Sequence, residues 1–166
     1  MKRTIKIILC VFIVSGILFI GGITYLKANS PLVAGTIGSS MEKHILVVEV
    51  GNKSRLAKIN IEEVLVNSNN KPIIVKIQVS NPKKGFIISS NSEGEEESKY
   101  DFRDLRTVAL QTETDPQSQL NKVNNGTASD QDTIYGITIN HDEEIQQVII
   151  KYRYFGISYE KVVQTL

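Results

Sequence analysis

The side chains able to do chemistry are few in this sequence and lie far apart. It has two histidines, His44 and His141, and one cysteine, Cys10. A zinc centre needs three or four ligands converging on one point, and neither H-x-x-x-H nor H-E-x-x-H is present to bring two of them together. His44 opens an apolar run and His141 stands in a polar turn, so both read as structural or surface residues. No G-x-S-x-G elbow raises a serine for nucleophilic attack, and no glycine-rich cradle for phosphate occurs.

Carboxylates gather in three places: Glu93, Glu95, Glu96 and Glu97; Asp130 and Asp132; and Asp142 to Glu144. Loop carboxylates at one end of a β domain are the chemistry of Ca²⁺, which takes six to eight oxygens. No EF-hand loop accompanies them, and a solvated acidic loop is the plainer reading. Neither a catalytic residue, nor a metal ligand set, nor a cofactor is expected. Asn52-Lys53-Ser54 and Asn125-Gly126-Thr127 match the glycosylation sequon, and Asn125-Gly126 also reads as a turn.

The element that must position everything else is Ile7 to Leu26, 20 residues without a charge between Lys6 and Lys27. A helix rising about 1.5 Å per residue over that length matches the roughly 30 Å hydrocarbon core of a bilayer. Lys2, Arg3 and Lys6 precede it and Lys27 follows, so the positive-inside rule places residues 1–6 in the cytoplasm and the rest outside. A cleaved secretory signal is the alternative, with secretion as its consequence. Against it stand the length of the apolar run and the bulky Leu26 and Leu32 three residues before either candidate cut, at Ala28 or Ala34. Cys10 lies inside the run, so no intramolecular disulfide is available and packing alone must hold the exported part.

Of 19 Lys and Arg, four flank the apolar run, so from Ala28 onward 15 basic residues face 18 acidic ones, a balance of −3. That weakly acidic domain is a poor partner for nucleic acid. Residues 27–42 are small, uncharged at their centre and broken by Pro31, Gly35 and Gly38, and read as a linker to a domain over 43–166.

In that domain the apolar period changes to two. Leu46, Val48 and Val50 alternate with Ile45, Val47 and Glu49; Ala57, Ile59 and Ile61 lead past an interruption at Glu62-Glu63 to Val64 and Val66. After the turn cluster Asn67 to Pro72, Ile73, Val75, Ile77 and Val79 resume, so that 56–79 reads as a hairpin. Residues 90–99 and 111–132 hold little to bury and read as loops, with a short strand between them over 100–110. Order returns at Thr133, and Val148, Ile150, Tyr152 and Tyr154 form the clearest face in the chain before Gly156 and a last strand through Val163. About seven strands with no helical period predict an all-β, Ig-like β-sandwich behind one transmembrane helix, with a partly closed β-barrel as the alternative.

The order of basic terminus, apolar segment, linker and small β domain ending in Ile149-Ile150-Lys151-Tyr152-Arg153-Tyr154-Phe155-Gly156 resembles single-pass bacterial envelope proteins with an Ig-like outer domain. The likeness covers the layout and the last hairpin, and implies a binding or scaffolding part of a larger assembly. The expectation is therefore a non-catalytic, membrane-anchored extracytoplasmic module with a protein or envelope component as partner. Its expected contact surface is Tyr152, Tyr154, Phe155 and Tyr159, since tyrosine joins apolar area to a hydroxyl. A sensor or carrier of a small ligand or Ca²⁺ through the acidic loops is the alternative.

Overall fold

The computed structural model describes residues 2–89, 94 and 97–165, and the side chains of these from Phe12 onward except Phe19 and Glu97. The chain divides into two compact units, Met1–Ser30 and Pro31–Leu166.

The first unit is one helix, α1 (Lys2–Ala28), of 27 residues. Nothing in its sequence interrupts the backbone ladder, and the hydroxyl of Thr24 donates back to the Ile20 carbonyl at 2.9 Å, as a helix-borne threonine can. It stops where Ser30 precedes Pro31, a pair that disfavours helical backbone, and Asn29 closes the end with its backbone N–H and its side-chain amide on the Tyr25 carbonyl, at 3.1 and 3.0 Å. Among the described residues no helix is long and apolar enough to cross a membrane. The charge-free run begins at Ile7, and Cys10 with the basic Lys2, Arg3 and Lys6 lies outside the described side chains.

The second unit is mostly β. Its strands are β1 (Leu32–Ser39), β2 (Ile45–Asn52), β3 (Ile59–Val66), β4 (Ile74–Ser80), β5 (Asp101–Arg103), β6 (Ala109–Leu110), β7 (Ile134–Asn140), β8 (Gln147–Tyr154) and β9 (Ile157–Gln164), with one helix, α2 (Pro116–Asn124), before β7. They form two antiparallel sheets, one in the order β1-β2-β7-β4-β5 and one in the order β6-β3-β8-β9. In the five-stranded sheet Leu46, Val48 and Val50 stand opposite Ile139, Ile137 and Tyr135, with Ile77 opposite Ile137 on the other side. Ile61, Val64 and Val66 likewise meet Tyr152, Ile150 and Val148 in the four-stranded sheet. These inward faces are buried and make the core.

Three expectations are corrected here. Residues 32–39, read as linker, are strand β1, paired with β2 from Leu32↔Asn52 to Ser39↔Leu46. Its glycines serve packing and a bulge instead of ending the strand. The supposed hairpin over 56–79 is two strands in different sheets, because alternation shows which residues share a face but not which neighbour they pair with. Asn67 and Asn69, both at positive φ, carry the chain across between the sheets. Residues 111–132, read as loop, contain α2. The break at Glu62-Glu63 is a β-bulge, with register shifting between Ile61 and Glu63, and the stretch 100–110 holds two short strands on either side of a turn of 3-10 helix.

The outer face of the five-stranded sheet is covered by non-strand segments. Gln78, fully buried on that face, donates to the Ile87 carbonyl at 2.8 Å and to Thr138 Oγ1 at 2.7 Å, and accepts from Ile87 N at 3.1 Å. This clamps the extended stretch around Phe86 against Gly136, where a Cβ would come within 2.9 Å of the Phe86 ring. The other cover is α2, and the edge between it and β1 is open.

Candidate functional site

The opening is a groove of about 560 Å³ between β1 and α2. Helix α2 starts where it does because Asp115 accepts from Ser118 N at 3.0 Å and Ser118 Oγ at 2.8 Å, and because Pro116 fills the first helical position, where no N–H is needed. The turn before it is tied to the end of β2: Asn52 N donates to Thr114 Oγ1 at 3.1 Å, and Thr114 N donates to the Asn52 carbonyl at 3.0 Å. Two glycines let the helix start sit against the sheet. A Cβ on Gly51 would lie 2.0 Å from the Thr114 carbonyl oxygen, and one on Gly35 would lie 2.6 Å from Pro116 Cβ.

One wall of the groove is apolar, with Val33, Leu120, Val123 and Ile134, and Leu120 and Val123 are 50% and 45% exposed. The other end is acidic. Glu49 and Asp115 both line it, and neither has an ion-pair partner among the described residues. Glu49 faces the β1 bulge, where the register jumps from Ala34↔Val50 to Ile37↔Val48, so Gly35 and Thr36 stand opposite Glu49 alone. Thr36 N, released from the ladder, donates to Glu49 Oε2 at 3.2 Å. Burial raises the Glu49 carboxyl above its usual range; the Thr36 bond works the other way, and the Asp115 charge adds to the rise. Gln119 is 4% exposed and also lines the groove; its Nε2 donates to the Glu113 carbonyl at 3.4 Å and its Oε1 has no partner. The site thus sets two carboxylates, with no ion-pair partner among the described residues, beside an apolar wall.

The tyrosine hairpin is built differently from its expected role. Tyr152 and Tyr154 are 0% and 4% exposed and belong to the core, because both fall on the inward face of β8. The Tyr152 ring stacks on Tyr159 at 5.2 Å, and Tyr154 OH lies 2.6 Å from Ser54 Oγ. Tyr159 is half-buried, its hydroxyl sits without a partner among the described residues, and burial raises its pKa. Phe155, at 53% exposure, is the one member of the set on the surface; with Gly156 it forms the two-residue turn between β8 and β9, both at positive φ.

The histidines come to one corner through the backbone, His141 N donating to the His44 carbonyl at 2.9 Å. His141 is buried with Nδ1 3.1 Å from Asp142 Oδ1, out of line for a hydrogen bond, and His44 Nδ1 is 3.8 Å from Glu42. Among the described residues no three His, Cys, Asp or Glu come together as a metal site. Of the acidic clusters, Asp130 pairs with Lys83 and Glu144 with Lys43. Asp132 is held down at about 2 by Lys122 and by the Ser129 backbone and hydroxyl. Glu93, Glu95 and Glu96 lie outside the described residues.

The groove escaped sequence reasoning because its parts come from stretches far apart in the chain, at 33–36, 49, 82, 115–123 and 134. One signal was legible: Asp115-Pro116 followed by Ser118 marks a capped helix start. No family model, no curated protein and no solved structure matches the chain.

Proposed function

We propose that this chain is a membrane-anchored, non-catalytic module whose Ig-like β-sandwich lies outside the cytoplasm and binds a protein of the same envelope through the groove between β1 and α2. The observation that carries the reading is the groove itself, which sets exposed Leu120 and Val123 beside the unpaired carboxylates of Glu49 and Asp115. A surface that only needed to be soluble would not leave apolar side chains and half-buried acids together at an open edge. Anchoring through α1 is supported by its charge-free run and by Ile17, Leu18 and Ile20, each at least 65% exposed along the helix.

Photo-crosslinking side chains placed at Leu120 and Val123 in intact cells test this reading, with Lys58 on β3's approach as the control position. A reproducible adduct from the groove positions and none from Lys58 is expected. No adduct from either groove position refutes it. A reporter fused after Leu166 that is active only in the cytosol refutes the placement.

A further inference from the structure

Glu49 is an odd residue to find under a packed helix. It sits on the outer face of β2, beneath the start of α2, with the buried Val47 and Gly51 two residues away on the same face. Burying a carboxylate costs free energy unless a cation or several donors meet it. Among the described residues only the Thr36 N–H does so, and no Lys or Arg forms an ion pair with Glu49. The cations on neighbouring segments are engaged elsewhere, Lys83 with Asp130 and Lys122 with Asp132. Asp115 gives one oxygen, Oδ2, to Ser118 and to the helix start, leaving Oδ1 without a hydrogen bond among the described residues. Gln119, nine-tenths buried beside them, holds its Oε1 out of solvent and without a hydrogen bond among the described residues.

We propose that the groove receives a cationic side chain, an arginine guanidinium or a lysine ammonium, carried by an apolar-flanked segment of the protein partner. This rests on the groove being the contact surface. The charge goes to Glu49 and Asp115, whose carboxylates a guanidinium or an ammonium can meet with charge-assisted hydrogen bonds. The aliphatic stem lies along Leu120, Val123 and Ile134, which is how long basic side chains cover apolar surface while keeping their heads polar. A purely apolar ligand would leave both carboxylates without a counter-charge. For a divalent metal ion, no third His, Cys, Asp or Glu joins the two carboxylates among the described residues.

The test uses the full chain in lipid nanodiscs and two peptides, acetyl-Ala-Val-Arg-Leu-Ala-amide and its counterpart with uncharged citrulline in place of arginine. Binding is read by amide NMR shifts at Gly35, Thr36 and Gln119. The arginine peptide is expected to bind about tenfold or more tightly than the citrulline one, the difference a hydrogen bond to a charged group makes. Glu49→Gln and Asp115→Asn, which keep the Thr36 acceptor and the helix cap, are each expected to narrow the difference, and the two together to bring the peptides to equal affinity. Equal affinity in the unmodified chain, shifts that map away from the groove, or Ca²⁺ moving the same resonances at lower concentration than the peptide would each overturn the proposal. Adducts at Leu120 that persist unchanged in Glu49→Gln would overturn it too while leaving the groove as the contact surface; loss of all groove adducts from the unmodified chain removes that surface as well.

Discussion

Replacing Gly51 by alanine tests the geometry on which the groove depends. The added Cβ would stand 2.0 Å from the Thr114 carbonyl oxygen, 2.8 Å from its carbon and 2.7 Å from Pro116 Cδ. Two of those atoms are backbone, so no side chain can rotate away and the turn ahead of α2 must lift by more than an ångström. Overpacking of this kind costs about 1–3 kcal/mol. Lifting the turn also strains the two Asn52–Thr114 hydrogen bonds, at 3.1 and 3.0 Å, worth roughly 1 kcal/mol each. Gly51 is not at positive φ, so alanine returns about 0.4–1 kcal/mol through the unfolded chain. The net loss is about 1.5–4 kcal/mol, or roughly 6–16 °C in Tm for a domain of this size. Thermal unfolding followed by circular dichroism measures it, with Gly38→Ala as the control, because there the Cβ would meet only the movable Ile88 side chain at 3.1 Å. A drop of less than about 3 °C in Gly51→Ala would mean that the turn does not lie on β2 as described.

Four further outcomes follow from the same contacts. Ile137→Ala, in the centre of the five-stranded sheet and fully buried, should cost about 2–5 kcal/mol in urea unfolding. Asp115→Ala removes the acceptor for Ser118 N and should cost about 0.5–2 kcal/mol, with faster amide exchange confined to α2. Glu49→Gln should stabilise the fold at pH 7: with the folded pKa raised, the unfolded chain ionises first as pH rises past about 4.3, stability is lost from there through the folded value, and below it the variant and parent should converge in denaturant titrations. Asp132 has the opposite sign; its folded pKa of about 2 means that its contribution is present above the unfolded value near 3.9 and fades toward pH 2, so Asp132→Asn should lose stability only at the higher pH, as seen in melts across that range.

What the sequence shows most plainly is what period and burial control. The faces of β2, β7 and β8 are legible because Leu46 to Val50, Tyr135 to Ile139 and Val148 to Tyr154 alternate, and the bulge at Glu62-Glu63 is legible because it breaks that alternation. Pairing is not legible. Strands β3 and β4 follow one another across a turn cluster, yet each finds its partners in a different sheet, since the match that decides is between faces far apart in sequence. Aromatic content misleads for a related reason. Tyr152 and Tyr154 share parity with Val148 and Ile150, and that parity sends them inward whatever their hydroxyls could do at a surface. Helix α2 stayed hidden because it has only Leu120 and Val123 as large apolar side chains, and local capping and two glycine contacts hold it in place.

The row of residues under the two covers shows where packing stops accounting for the sequence. Gly51 and Gly136 are small where Thr114 and Phe86 come close, and Val47 is apolar beside Gly136, its Cγ1 3.0 Å from where a Cβ would stand. Glu49 lies between Val47 and Gly51 on that face and directly across from Gly136, and it breaks the rule its neighbours follow. Glutamine at that place would keep the Thr36 hydrogen bond and shed the half-buried charge, so stability alone favours the substitution. A carboxylate there costs the fold stability that a bound positive charge would offset, which is what the proposed recognition requires. The pairing of two measurements therefore decides the matter: Glu49→Gln that is more stable and prefers the arginine peptide less than the parent does fits a recognition site, whereas Glu49→Gln that is less stable makes the carboxylate part of the scaffold.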